Sequence, residues 1–251
     1  TVPLQCASLQ RGSNGLASGN TIGEAIYHAL CEVIERDCIA DFERRTPRSR
    51  ARAVQSSDDL RAYGAGALMD KIGEAEMILR VWDITNDLGV PAFRALLYDV
   101  GTQGPGKYVH PPKVGYGCHL DPKVAVSRAI TEAAQSRLVA ISGARDDLVP
   151  EDYALPQMGN ALVALTSIAD AAAAGNCKAR HISSASASAE TDSRFLLQRL
   201  AERGLDQVAG FDLTHPEIGL PVVRILAPGL GGLSTGHRSY AGTRHKKVSV
   251  Q

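Results

Sequence analysis

Glu24, His28, Glu32, Glu35 and Arg36 recur at spacings of three and four residues, so a helix would gather three carboxylates and a basic group on one face. Like charges three apart repel, and Glu32 with Arg36 supplies one compensating i,i+4 pair. Two chemistries fit. Such carboxylates bind Mg2+, a hard cation that takes oxygen ligands and bridges nucleotide phosphates; equally, the face could be solvated, with Glu24 completing a helix cap. Spacing alone leaves both open. The run Gly12-Ser13-Asn14-Gly15-Leu16-Ala17-Ser18-Gly19-Asn20 precedes this helix. A Gly/Ser loop entering a helix N-terminus offers backbone N–H groups to phosphate, although a tight turn has the same composition. A second helix carries Ser127, Arg128, Glu132, Gln135 and Arg137, then the turn Ser142-Gly143-Ala144-Arg145-Asp146-Asp147. Glu132 and Gln135 share a face, whereas Arg137 is rotated away and can equally pair at the surface.

The elements that must position these groups are legible in outline. Thr21-Ile22-Gly23-Glu24 reads as a capping box, and Ala25, Ile26, Ala29, Leu30, Val33 and Ile34 form the apolar stripe of a helix running to Arg45, ahead of Pro47. Asp58 to Lys71 predicts another helix. Met77–Thr85 and Val90–Val100 predict a hairpin about Asn86-Asp87-Leu88-Gly89. Asp121-Pro122 supplies an N-cap and an N1 proline for a helix to Ser142. Helices are expected at Met158–Ala174 and Asp192–Arg203, and strands at Gln207–Thr214 and Leu220–Ala227.

The second half repeats the first residue by residue. Ala25-Ile26-Tyr27-His28-Ala29-Leu30-Cys31-Glu32 lies over Ala125-Val126-Ser127-Arg128-Ala129-Ile130-Thr131-Glu132 at an offset of 100 residues. Trp82-Asp83-Ile84-Thr85, Gly89-Val90-Pro91 and Arg94 match Phe211-Asp212-Leu213-Thr214, Gly219-Leu220-Pro221 and Arg224. The expected fold is α+β: two related helix-helix-hairpin units, roughly 12–100 and 113–230, packed together with antiparallel strand pairs covered by helices.

Composition narrows the function classes. The 251 residues carry 27 Lys+Arg against 27 Asp+Glu, which argues against a general electrostatic grip on nucleic acid or an anionic membrane. No run reaches the roughly 18 apolar residues of a membrane span. Residues 1–12 show no charged-then-apolar leader, so the expected location is the cytoplasm. Cys6, Cys31, Cys38, Cys118 and Cys177 are odd in number and scattered, the pattern of reduced thiols, and Cys118-His119 has no second pair to complete a metal site. Gly101-Thr102-Gln103-Gly104-Pro105-Gly106-Lys107 imitates a P-loop, but Tyr108 stands where Ser/Thr should hold Mg2+ and Pro111-Pro112 forbids the following helix. Arg44, Arg45, Arg48, Arg50 and Arg52, without interleaved aromatics, read as a solvated loop.

Ser13-Asn14-Gly15-Leu16-Ala17-Ser18-Gly19-Asn20, Glu24-Ala25 and Glu32-Val33-Ile34-Glu35-Arg36-Asp37 together resemble a YcaO domain. Thr131-Glu132-Ala133-Ala134-Gln135-Ser136-Arg137, Ser142 to Asp147 and Gly219-Leu220-Pro221-Val222-Val223-Arg224 extend the resemblance over nearly the whole chain, 1–251. It implies an ATP- and Mg2+-dependent enzyme that phosphorylates the oxygen of a peptide backbone amide so that a nucleophile can displace it, giving azolines, amidines or thioamides. By position in the matching motifs, Asn20, Glu24, Glu32, Glu35 and Arg36 correspond to nucleotide and metal binding, with Glu24, Glu32 and Glu35 as metal ligands and Arg36 near phosphate. Glu132 and Gln135 match the second nucleotide-side motif, and Arg137 and Arg145 are further candidates.

Family members are longer, with an N-terminal phosphate motif and an earlier E-x-x-E-R helix, so the chain is expected to be a fragment. It lacks the P-x-P-x-P tail of many azoline formers between Pro228 and Gln251. With the wording Ala140-Ile141-Ser142-Gly143-Ala144-Arg145-Asp146-Asp147, that is similar to YcaO proteins that work beside a TfuA partner in thioamide formation. The expected partners are a peptide or protein substrate and a TfuA-like protein, with a homodimer as the oligomeric option. The competing reading is a non-catalytic scaffold whose carboxylates are satisfied by internal Arg pairs. No catalytic base is assigned, because no one of the seven histidines stands out.

Overall fold

The computed structural model describes residues 12–99, 112–143, 181–233, 239–240 and 242. Cys6, Cys177, Arg145, the P-loop-like run and the expected Met158–Ala174 helix lie outside them.

β1 (Leu16–Ser18) leads into α1 (Ile22–Arg44). Thr21 caps that helix by accepting from the Glu24 N–H at 3.2 Å. The return half of the expected capping box is displaced by one residue: the Glu24 carboxylate accepts from the Asn20 backbone N–H at 2.8 Å and from Asn20 Nδ2 at 3.0 Å. Arg44 in the last turn suits the helix dipole, and Pro47 prevents continuation.

The arginine-rich stretch is not the loop expected of it. It forms α2 (Pro47–Arg52), capped by Thr46. Arg45 donates to the Ile84 and Thr85 carbonyls at 3.3 and 3.0 Å, and Arg50 donates to the Arg45 and Glu43 carbonyls. The expected Asp58–Lys71 helix is two, α3 (Ser57–Ala62) and α4 (Gly66–Glu74), broken where Gly64 takes φ +79°.

β2 (Met77–Asp83) and β3 (Ala92–Asp99) form the first hairpin, and β4 (Lys113–Cys118) precedes α5 (Pro122–Ser142). α5 opens on the Asp121 cap, with Pro122 at N1, and closes on Gly143 in the left-handed region. α6 (Ala189–Ala201) starts three residues earlier than the expected Asp192 because Ser188 caps it. β5 (Ala209–Asp212) and β6 (Val222–Leu226) form the second hairpin, followed by β7 (Gly232–Leu233) and β8 (Ser239–Tyr240).

Each hairpin gains a third strand from the opposite half of the chain. The sheets run β2-β3-β4 and β1-β6-β5, so the strand leading into α5 completes the first hairpin and the strand leading into α1 completes the second. Their registers correspond. Arg94 lies between Trp82 and Tyr116, and Arg224 between Phe211 and Leu16.

α1 is packed between the two sheets. Its Leu30, Ile34 and Ile39 meet Trp82, Ala92 and Leu96 from one sheet and Val223 and Ile225 from the other in one core, each large side chain contributing about 1.5 to 3 kcal/mol of burial. The other face of the β2-β3-β4 sheet packs Val81, Phe93, Ala95 and Leu97 against Ala125, Ala129 and Ala133 of α5. That approach needs glycine in β4: a Cβ at Gly115 would meet Ala133 N at 2.2 Å, and one at Gly117 would meet Ala125 O at 2.2 Å. Among the described residues no helix is long and apolar enough to cross a membrane.

Candidate functional site

The closeness of β4 to α5, and of β1 to α1, sets the two helix faces singled out by spacing against one cavity of about 420 Å³. Glu32 and Glu35 enter it from α1, and Glu132 and Gln135 from α5. These four stand at the offset of 100 residues that relates the two halves. Ser18 and Tyr116 line it from the strands, and Cys31 and Cys118 are buried in its wall.

The carboxylates are held, but not neutralised. The Tyr116 N–H donates to Glu132 Oε2 at 3.1 Å. Glu32 pairs with Arg36 at 3.6 Å. Burial lifts the Glu32 carboxyl above its ordinary value, opposed by Arg36, and burial lifts Glu132 as well. Glu35 is pushed up to about 7, first by burial and then, against the pull of Arg36, by the neighbouring Glu132 and Glu32. Glu132 raises both Glu32 and Glu35, and Glu32 raises Glu35, so the cavity gathers three carboxylates against Arg128, with Arg36 paired to Glu32.

That donor set fits a hard dication. Mg2+ takes one or two carboxylates and completes its shell with water and phosphate oxygens. Among the described residues no three His, Cys, Asp or Glu groups stand as a preformed metal cage, so water and phosphate oxygens would have to complete any Mg2+ shell here. The volume lies in the ordinary range for small-molecule sites.

The other expected site residues lie elsewhere. Asn20 and Glu24 bond to each other at the start of α1, outside the cavity lining. Arg36 reaches the site through Glu32. Arg137 turns to the opposite side of α5 and pairs with Asp99 at 2.9 Å. Cys31, Cys38 and Cys118 are free, buried thiols, as their scatter implied.

Two lining residues carried no role in the sequence analysis. His28 Nδ1 lies 3.2 Å from the Ser18 carbonyl, and its Nε2 lies 3.4 Å from Arg128 Nη2. A carbonyl can only accept and a guanidinium only donate, so both contacts together require the neutral tautomer with the proton on Nδ1. The signal was present in the repeat, where His28 lies over Arg128 as Glu32 lies over Glu132.

Comparison with known proteins follows this geometry. The family described as YcaO cyclodehydratase, ATP- and Mg2+-binding, matches residues 1–231. An uncharacterized protein in the tfuA 3' region of Rhizobium leguminosarum bv. trifolii is 35% identical over 229 residues, 88% of this chain and 53% of that protein. An uncharacterized protein of Methanothermobacter thermautotrophicus is 36% identical over 231 residues, 91% and 58% of the two chains. The chain thus spans a little over half the length of these curated relatives. Among solved structures, a heterocyclase in complex with substrate and cofactor gives a TM-score of 0.68 at 27% identity, covering 88% of this chain and 28% of that one. A YcaO protein from Methanopyrus kandleri bound with AMPPCP and Mg2+ gives 0.64 at 25%, covering 87% and 55%.

Proposed function

The chain belongs to the YcaO family of ATP- and Mg2+-binding cyclodehydratases, and from that premise we propose that it takes part in ATP-dependent activation of a peptide backbone amide. The observation that carries this reading is the convergence of Glu32, Glu35, Glu132 and Gln135 on one cavity that gathers three carboxylates against Arg128. We assign the Glu32, Glu35 and Glu132 carboxylates to the Mg2+–phosphate complex, with one or two of them on the metal ion and the rest held to it through water, and the Gln135 amide to the nucleotide side. Asn20 and Glu24 hold the helix entry from which this face is presented, and Arg36 limits the repulsion between carboxylates. Mg2+ bound there would screen the phosphate charge that builds up during transfer.

The amide oxygen attacks the terminal phosphorus of ATP and ADP leaves. A nucleophile then adds to the amide carbon, and the oxygen departs as phosphate. The protein's part is positioning, which is the main demand of phosphoryl transfer.

Within this class we favour thioamide formation beside a TfuA-like partner, with sulfide as nucleophile. Its support is the location of the Rhizobium relative in a tfuA 3' region. Azoline formation is the alternative product class. Mass spectrometry of a candidate peptide incubated with ATP, Mg2+ and sulfide separates the two: oxygen-for-sulfur exchange marks the thioamide, loss of water the azoline. Either product should vanish in Glu32→Gln and Glu35→Gln variants that remain folded; undiminished ATP turnover in both would remove the assignment.

A further inference from the structure

Among the described residues β2 is an edge strand, and half of its outer side is already paired. The Gln55 N–H donates to the Val81 carbonyl at 2.8 Å, and the Asp83 N–H donates to the Ala53 carbonyl at 2.9 Å. Odd-numbered residues of β2 therefore turn their main-chain groups away from β3. Ser56 then leaves the edge to cap α3. Leu79 and Met77 continue the outward row with no main-chain partner among the described residues; the Leu79 carbonyl is met by the guanidinium of Arg80 at 3.1 Å. An edge of this kind is a template for another strand.

The edge floors a groove of about 360 Å³ walled by Leu60, Met69 and Ile72. Ile72 and Met77 also line a second, mainly apolar groove of about 370 Å³ that runs along α5 past Leu138 and Ile141. Thr131 lines both that groove and the carboxylate cavity. Shared residues thus connect the three hollows in series. Among the described residues the charged side chains lining the two grooves are Arg80, Lys71 and Arg137, the last already paired with Asp99.

We propose that an extended peptide, uncharged or mildly acidic and apolar at alternate positions, adds to the outer edge of β2 as a strand and is led along α5 toward the carboxylate cavity. Strand addition draws affinity from main-chain hydrogen bonds, which suits an enzyme whose target is the backbone amide and not one side chain. Only the identification of this peptide as the substrate rests on the proposed function.

The test is fluorescence anisotropy of the full chain with a fluorescein-labelled Ser-Val-Thr-Val-Thr-Val-Asp peptide, and with the same peptide N-methylated at alternate residues. Leu79→Pro deletes an outward N–H, a change edge strands tolerate, and is read against Leu79→Ala, which trims the same half-buried groove side chain but keeps the N–H. Against that control, Leu79→Pro should weaken binding about tenfold or more, the loss expected for one or two main-chain bonds. N-methylation in the register that faces β2 should do the same without altering the protein, and Ile72→Glu should weaken binding through the groove wall. Equal affinity for methylated and unmethylated peptides, or no binding of the parent peptide, overturns the proposal. So does a concentration-dependent dimer that Leu79→Pro abolishes while peptide binding is unaffected, since a second copy would then own the edge. Calorimetry of Mg-ATP on the same samples keeps the two readings apart: peptide binding without nucleotide binding would sink the proposed function and leave the groove standing.

Discussion

Burial lifts the Glu35 carboxyl from 4.5 to about 7, so the folded chain holds a proton there over a pH window in which the unfolded chain has lost it. The resulting stability is fully present below about 4.5 and is lost as pH rises to about 7. Without Mg2+, Glu35→Gln should therefore flatten the dependence of Tm on pH and leave the variant several degrees above wild type at about pH 8; parallel Tm curves would contradict this. Mg-ATP should reverse the order, stabilising the wild type and not the variant. Asp37, buried beside this face, illustrates a carboxylate with a structural duty: it accepts from Asn86 Nδ2 and from the Gly231 N–H, each at 2.7 Å. Asp37→Ala strands both donors and should cost about 2 to 4 kcal/mol in urea unfolding. The motif Glu35-Arg36-Asp37 does not reveal this division, because adjacent helix positions point to different surroundings.

Gly117 lets β4 lie against α5 closely enough for the Tyr116 N–H to reach Glu132. Gly117→Ala drives a methyl into the α5 backbone and should cost about 1 to 3 kcal/mol, while also weakening Mg-ATP binding by moving Glu132. Gly143→Ala is the contrasting change, strained by its φ of +59° but with nothing within 4 Å of the added carbon. It should cost about 1 kcal/mol and leave nucleotide affinity unaltered. Equal effects of the two variants on nucleotide affinity would detach β4–α5 packing from the site. At this scale the caps were readable, since Thr21 and Asp121 announce α1 and α5 locally. β1 and β4 were not. Leu16-Ala17-Ser18 is too short to show alternation, and its partner Val222-Val223-Arg224 lies some 200 residues away, so the three-residue strand inside a Gly/Ser-rich segment, open between a phosphate loop and a tight turn, gave no local signal. The convergence of Glu32 with Glu132 was likewise implicit in the offset of 100 residues, but became spatial only through those two strands.

The two halves exchange their leading strands, so neither three-stranded sheet is complete without the other. With α1 packed between the sheets, one cooperative transition is expected. Trp82, the single tryptophan, reports on the first sheet, and its fluorescence should share a urea midpoint with far-UV circular dichroism; two separated midpoints would show that the halves fold independently. The same interlocking sets the two carboxylate faces across one cavity, so the nucleotide binding proposed for it would depend on both halves. The most direct test is calorimetric titration of ATP, with and without Mg2+, into the wild-type chain and a folded Glu32→Gln/Glu35→Gln variant. The account predicts Mg2+-dependent binding in the wild type that falls by about tenfold or more in the variant, the scale of losing charge-assisted contacts. Absence of binding in the folded wild type, or equal binding in both proteins, would contradict it.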